Sequence, residues 1–354
     1  MRDSDNMDDM IRRSFASDQI TLNPSPSDSD ALAAIMRLIN KHIPANNDLL
    51  AKAARYHFRD TGKMLRARLA LSAEKHIENH IENHSPTATY QATISWAAAI
   101  EVLHNASLIH DDISDGDQLR RNRPTVWFKF GRDIALALGD WLIGLSFQFA
   151  ADAAALAKKP ELVHILAKHM LATTEGQAKE FRKHGYPGME TYRDIIRGKT
   201  APLFIAPIEG VAVIAGRLDL IIDSHKYFES VGSAYQVAND LLNFAGTDGS
   251  EQSATDLIRR APNAVIVLFR ENATPREKAR FNAWLNDGKP SDITHWLDAI
   301  RDSDAISQTS RMMEDMLEHG EECYQNMPEF MRQIVAPVQK LIHSVRIQTL
   351  VHQK

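Results

Sequence analysis

The sequence predicts an all-α protein. Apolar residues recur at three- and four-residue spacing over long stretches, which is the helical period. Breaks fall at Gly, Pro and Asn clusters, and no alternating run bounded by an Asn-Gly or Asp-Gly turn offers a hairpin. Residues 1–28 read as a frayed tail that ends in Asn23-Pro24-Ser25-Pro26-Ser27. Residues 29–354 read as one helical domain, because no shift in composition marks a boundary within them.

Helices are predicted at about 29–42, 47–58, 63–79, 88–115, 133–157, 160–184 and 190–216. Further helices are predicted at about 219–246, 256–271, 274–286, 291–299, 304–325 and 328–350. Their punctuation is Asn122-Arg123-Pro124, Gly185-Tyr186-Pro187-Gly188 and Gly246-Thr247-Asp248-Gly249. A short repeat, Ile77-Glu78-Asn79-His80 then Ile81-Glu82-Asn83-His84, is the only one found.

Composition narrows the function classes. With 44% hydrophobic and 25% charged residues, the 354-residue chain is ordinarily globular. A formal charge of −5 provides no broad basic footprint, so nucleic acid is not an expected partner. No apolar run reaches the roughly 20 residues of a membrane span. Ile134–Ala150 comes nearest and is interrupted by Asp140. The polar, acidic start Met1-Arg2-Asp3-Ser4-Asp5 is unlike a secretory signal, so a cytoplasmic location is expected. The single Cys323 excludes an internal disulfide and a multi-thiolate metal site.

The chemistry is concentrated in Leu108-Ile109-His110-Asp111-Asp112-Ile113-Ser114-Asp115. Asp111 and Asp115 are four residues apart on one helical face, with Asp112 beside them. Like charges so placed repel, and the dipole at a helix C-terminus disfavours them further. A cation turns that cost into a site, and an all-oxygen donor set suits Mg²⁺ shared with substrate phosphates. The alternative is a solvated acidic helix end, which fits poorly with the apolar approach Ile100, Leu103, Leu108 and Ile109. Arg120 and Arg121 follow on the exit loop. Their guanidinium forks suit phosphate oxygens, though they can equally serve to neutralise the aspartates.

These residues resemble the trans-type isoprenyl (polyprenyl) diphosphate synthase family. His110-Asp111-Asp112-Ile113-Ser114-Asp115 with Arg120-Arg121-Asn122-Arg123-Pro124-Thr125 is similar to its first aspartate-rich motif and paired arginines. Gly62-Lys63-Met64-Leu65-Arg66 resembles the segment that grips the diphosphate of the isopentenyl acceptor, with Ala67 where Pro is usual. Gly139-Asp140-Trp141-Leu142 resembles a helix start in the family. Lys199-Thr200 resembles its Lys-Thr pair, whose Lys contacts the allylic diphosphate, and Tyr235-Gln236 stands where Phe-Gln is expected. The resemblance runs from about 60 to 260.

It implies a bundle of antiparallel helices around a deep central cavity, usually dimeric. It also implies a Mg²⁺-dependent ionisation of an allylic diphosphate, followed by attack of an alkene on the carbocation. Neutralising the leaving group drives such chemistry, and apolar walls keep water from the cation. By this resemblance Asp111, Asp112, Asp115 and Lys199 are the catalytic residues. Gly62, Lys63, Arg66, Arg120, Arg121, Thr200 and Gln236 bind substrate. Asn239, Asp240 and Asn243 join the aspartates as metal ligands. Ala106, Ser107 and Leu103, behind the metal face, set the tail pocket; small residues there point to products of C20 or longer.

The second motif departs from the family. Asp-Asp-x-x-Asp is Asn239-Asp240-Leu241-Leu242-Asn243 here, and amide oxygens bring no charge to a metal. The Gly-Lys pair expected next reads Ser250-Glu251, and Lys-x-Thr-x-Pro is replaced by Arg260-Ala261-Pro262-Asn263-Ala264. Three readings stay open: chain elongation with an altered metal site, a redirected enzyme such as a terpene cyclase or a prenyltransferase to another acceptor, and a non-catalytic subunit of a heteromeric synthase. The cyclase pattern Asn-Asp-x-x-Ser-x-x-x-Glu is met in part, with Thr247 where Glu belongs.

Other signals read as structure. His76, His80 and His84 lie in a polar repeat that ends at Ser85-Pro86, and His104 reads as a core histidine. Ala264–Phe269 reads as a buried helix segment, and Met312, Met313 and Met316 as core filler. Nothing in the spacing of Lys340, Arg346 and Lys354 places them at the site.

Overall fold

The computed structural model describes residues 28–78, 86–181, 185–220, 222–245 and 254–351. The repeat histidines His80 and His84, as well as Thr247, Ser250 and Glu251, lie outside them. The described chain is helical almost throughout. The first helices are α1 (Asp28–His42), α2 (Leu49–His57), α3 (Leu65–Glu78) and α4 (Pro86–Asp115). A two-stranded hairpin, β1 (Leu119–Arg120) with β2 (Arg123–Pro124), separates these from α5 (Val126–Phe130) and α6 (Arg132–Ala157). Then come α7 (Glu161–Glu180), α8 (Met189–Ala215), α9 (Ile222–Ala245), α10 (Thr255–Arg259) and α11 (Ala264–Asn272). The chain continues through α12 (Pro275–Asp287), α13 (Ile293–Arg301), α14 (Ala305–Asn326) and α15 (Glu329–Val351).

The predicted helix 256–271 is two helices. Pro262 restricts the residue before it to extended backbone, Arg260 takes a left-handed φ of 59°, and the Asn263 side chain caps α11 by accepting from Val265 N. The hairpin and α5 were not predicted, because neither is long enough to show a period.

α8 is apolar almost all round from Ala201 to Ala215, as a central helix must be. It packs against α3, α4, α7 and α9, while α4 lies along α6, and α9 along α14. Trp96 of α4, fully buried, donates its indole N–H to the Pro207 carbonyl of α8 at 3.2 Å. A second apolar cluster gathers Phe269, Phe281, Trp284 and Trp296. Met312 and Met313 are buried there, and Met316 packs against it. By length and composition alone, α6 and α8 are apolar enough to cross a membrane; the most apolar 18 residues of α8 are 78% buried inside the protein, against 44% for those of α6.

The crossing of α7 over α8 positions the site. Gly176 and Gly198 meet backbone to backbone, and a Cβ on Gly176 would sit 2.5 Å from the Gly198 carbonyl carbon. That contact brings Glu180, one turn past Gly176, within 3.0 Å of Lys199, the residue after Gly198. Away from the site, Glu209 of α8 bonds buried His169 at 2.5 Å and Lys168 at 2.7 Å, both on α7. Gly176→Ala is expected to cost about 1–3 kcal/mol in urea unfolding, since the helices must part to admit a methyl group. An unchanged midpoint and slope would show that the crossing is looser than described.

Candidate active site

α4 runs unbroken to Asp115 and delivers the aspartates on its last turn. Adjacent helical residues point ~100° apart, so Asp111 and Asp112 diverge. Asp112, 3% exposed, accepts from Arg120 Nε at 2.7 Å on the hairpin side. Asp111 and Asp115, one turn apart, are set against Lys199 and Glu180 on α8 and α7. The structure thus divides a cluster that spacing alone had treated as one.

Burial pushes the Asp115 carboxyl up to about 7, with Glu180, Asp111 and Asp117 reinforcing and Lys199 opposing. Asp111 is also raised by burial, against the pull of Lys199. Burial disfavours the Lys199 ammonium, but Glu180, Asp111 and Asp115 outweigh it and hold the charge. Among the described residues no three His, Cys, Asp or Glu side chains form a ready-made metal cage. Asp111 and Asp115 instead fit an ion such as Mg²⁺, which keeps waters and borrows substrate oxygens.

The arginines sit on a tight turn. Arg121 and Asn122 take φ of 53° and 59° between the paired Arg120 and Arg123, as a type I′ hairpin requires. A left-handed arginine is uncommon and strained, and such strain clusters at functional sites. The Arg121 guanidinium lies directly on Gly62, whose own φ is 60°, so that a side chain at 62 would overlap it. Asp60 holds both partners, accepting from Gly62 N at 3.0 Å and, through its carbonyl, from Arg121 Nη1 at 3.1 Å. Gly62, exposed Lys63 and the arginine hairpin therefore form one corner.

Behind that corner the Arg66 guanidinium stands 4.9 Å over the Phe204 ring, and its Nε is buried without a hydrogen-bond partner. Glu101, 4% exposed, offsets its charge and accepts from Ala67 N at 3.2 Å. Burial, then Arg66, Arg120, Arg121 and His57, holds the His104 imidazole well below its usual value. Burial also lowers His57 to about 4, with the three hairpin arginines reinforcing and its 2.8 Å bond to Asn105 opposing. Two neutral imidazoles beside fixed guanidiniums make an electropositive well suited to an anion.

The second motif is built differently. Asp240, 3% exposed, accepts from the Tyr192 hydroxyl at 2.5 Å and from Ala264 N at 2.7 Å through one oxygen. Gln236 donates to its other oxygen at 3.4 Å. Asn243 donates to Thr255 Oγ1 at 2.6 Å and accepts from Asp256 N at 3.2 Å. These side chains tie α9 to α8, α10 and α11, while Asn239 is half-buried beside them. Asp240 and Asn243, expected from the resemblance as metal ligands, thus sit within a network of the chain's own donors. Thr200 packs beside Gly232 of α9. Leu103 and Ala106 are buried in the core, and half-buried Ser107 donates to the His104 carbonyl at 2.8 Å.

Sequence reasoning missed several participants. Glu180, Asp60 and Tyr192 carry no local signal, since only the tertiary fold brings them in. Glu101 was legible as a charge inside an apolar helix run. Arg259 of α10 reaches across to the Asp117 carboxylate just past the aspartates, closing one edge of the site.

Matches to known proteins define the family. The polyprenyl synthetase family profile matches residues 47–302, and the chain belongs to that family. It is accordingly a prenyltransferase of the isoprenyl diphosphate synthase kind. It is 26% identical to heptaprenyl diphosphate synthase component 2 of Geobacillus stearothermophilus, over 85% of this chain and 91% of that one. It is 30% identical to geranylgeranyl diphosphate synthase of Saccharolobus solfataricus, over 74% of this chain and 80% of that one. The crystal structure of geranylgeranyl pyrophosphate synthetase from Pyrococcus horikoshii superposes with a TM-score of 0.73 at 26% identity, covering 90% of this chain and 96% of that one.

Two outcomes test the geometry. The folded Asp115 titrates near 7 against 3.8 for a free carboxyl, so the folded state holds the extra proton between roughly pH 4 and 7. This contribution to stability is complete below that window and lost as pH rises through it. Asp115→Asn is therefore expected to raise the Tm at pH 8 in chelator by roughly 2–5 °C, a gain that disappears near pH 4. A pH-independent difference contradicts the assignment. Burial, reinforced by Asp256, raises the Asp240 carboxyl above the usual carboxylate range. Asp240→Asn should keep stability within about 1 kcal/mol, whereas Asp240→Ala should cost on the order of 3 kcal/mol by stranding the buried Tyr192 and Ala264 donors. Equal costs for both variants in urea unfolding would refute the scaffold role.

Proposed function

We propose that the protein is a Mg²⁺-dependent trans-prenyltransferase that ionises an allylic diphosphate and condenses the cation with isopentenyl diphosphate. The observation that carries this reading is the facing of Asp111 and Asp115 by Lys199, beside a separate cationic corner. Asp111 and Asp115 hold Mg²⁺, which when bound neutralises charge on the leaving diphosphate. Lys199 shifts from Glu180 toward the departing oxygens and stabilises the charge that develops on them. Asp112 keeps Arg120 in place rather than ligating the ion. Gly62, Lys63, Arg66 and Arg121 bind the acceptor diphosphate, with Arg121 pre-set by Asp60 and its turn. Thr200 and Gln236 line the allylic side.

The small side chains of Ala106 and Ser107, with Leu103 as the floor further along, support a tail pocket for products of C20 or longer. The names of the relatives include both geranylgeranyl and heptaprenyl synthases, consistent with that range. The partly bare apolar face of α6, with Leu136 39% exposed, supports pairing of two copies. A heteromeric assembly is the second reading, favoured by the relative named as a component of its synthase.

The test supplies Mg²⁺ with dimethylallyl, geranyl or farnesyl diphosphate, with and without isopentenyl diphosphate. Elongation is expected only when isopentenyl diphosphate is present, and Asp111→Ala with Asp115→Ala is expected to abolish it at unchanged helicity. Hydrocarbon released from the allylic substrate alone would replace this reading with cyclisation. Inactivity until a second protein is added would favour the heteromer.

A further inference from the structure

α10 cannot hold its own shape. It spans five residues, far fewer than an isolated helix needs, and Ala254 and Arg260 bracket it with left-handed φ of 56° and 59°. Its stability must therefore come from tertiary contacts. Toward α9, Asn243 donates to Thr255 Oγ1 at 2.6 Å and accepts from Asp256 N at 3.2 Å. The Asn243 carbonyl also accepts from Ala254 N at 2.7 Å. Toward α11, Asp256 accepts from Asn263 Nδ2 at 2.8 Å, and Leu257 is fully buried. All of these belong to the wall that carries the second motif.

One further contact leaves that wall. The Arg259 guanidinium reaches the carboxylate of Asp117, 142 residues away in the chain and on the loop just past Asp115. The Asp117 end is rigid. Its N–H donates to the Asp112 carbonyl at 3.0 Å, and its own carbonyl accepts from Thr125 Oγ1 at 2.8 Å and Trp127 Nε1 at 2.7 Å. Its negative charge is felt by both Asp112 and Asp115, so it stands at the rim of their cleft. Both side chains of the bridge are half-buried, as a rim position requires. A helix too short to stand alone is thus tied to a fixed point beside the aspartates.

We propose that Arg259 is a positioning residue whose bridge to Asp117 clasps α10 across the edge of the aspartate cleft and keeps water out of it. The role of water rests on the proposed function; the clasp does not. Ionisation breaks the allylic C–O bond, and the electron pair leaves with the diphosphate. The cation then meets either the acceptor alkene or water. Attack by water forms a new C–O bond and, after loss of a proton to solvent, releases a prenyl alcohol. A closed edge excludes that water and leaves the cation to the alkene.

Hydrogen exchange of the full chain in EDTA, without substrate, reads the clasp itself. The Ile258 and Ala261 amides, bonded to the Ala254 and Asp256 carbonyls, report on α10. Arg259→Gln is expected to speed their exchange about two- to fivefold, the scale of a half-exposed ion pair, while α11 is unchanged. Asp117→Asn and the double variant should match it, because the pair acts as a unit. Arg259→Lys should restore slow exchange in part. Unchanged α10 exchange, or single effects that add in the double variant, would overturn the clasp. Turnover of geranyl diphosphate with isopentenyl diphosphate and Mg²⁺ then reads the exclusion of water. Arg259→Gln should raise the share of prenyl alcohol among the products by a similar factor, and Arg259→Lys should lower it again. A general loss of activity at an unchanged alcohol share would refute the exclusion of water. Absence of elongation by the unaltered enzyme would sink the proposed reaction and the role of water with it, while α10 exchange would still decide the clasp.

Discussion

Burying negative charge is costly unless a cation stands close by, and the active corner of this protein is arranged around that constraint. Asp111, Asp115 and Glu180 come together from two helices, with Lys199 from a third between them. The arrangement requires α7 and α8 to approach more closely than side chains allow, which Gly176 and Gly198 permit. The raised Asp115 carboxyl measures what is left uncompensated. A divalent ion bound with a diphosphate would relieve that repulsion, so binding and charge balance would be a single physical event.

The two aspartate-rich regions are built differently. The first keeps Asp111 and Asp115 uncommitted to backbone donors and leaves Asp112 to anchor the arginine hairpin. The second retains one carboxylate, Asp240, and surrounds it with Tyr192, Ala264 and Gln236. Asn243 likewise binds α10 and its approach. Replacing two acids by amides removes repulsion among these side chains. The same substitutions make them good hydrogen-bond partners for a packed interior.

The cationic side shows how strain and positioning combine. Arg121 is held in a left-handed turn, supported by Asp60 and seated on Gly62. Arg66 is held by packing on Phe204 and by Glu101. Neither guanidinium has to reorganise when an anion arrives, which is what electrostatic preorganisation demands. His104, which reads from its helix as core, stands among these cations and is kept neutral by burial first and by them second.

What the sequence determined by itself was whatever repeats along the chain or stands in an ordered motif. The helical period located nearly every long helix, and the spacing of Asp111 and Asp115 placed them on one face. The motif around Gly62 and the Arg120–Arg121 pair were visible for the same reason. The sequence did not reveal where Asp112 points, that Arg121 and Asn122 form a hairpin, or that Pro262 and Asn263 split a predicted helix. Those depend on turns of two to four residues, too short to carry a period. Only the tertiary structure decided the partners of the acids: Glu180 and Lys199 for the first cluster, Tyr192 and Ala264 for Asp240. Each of those contacts joins residues far apart in the chain, and the identity of a side chain does not encode which neighbour packing will bring to it.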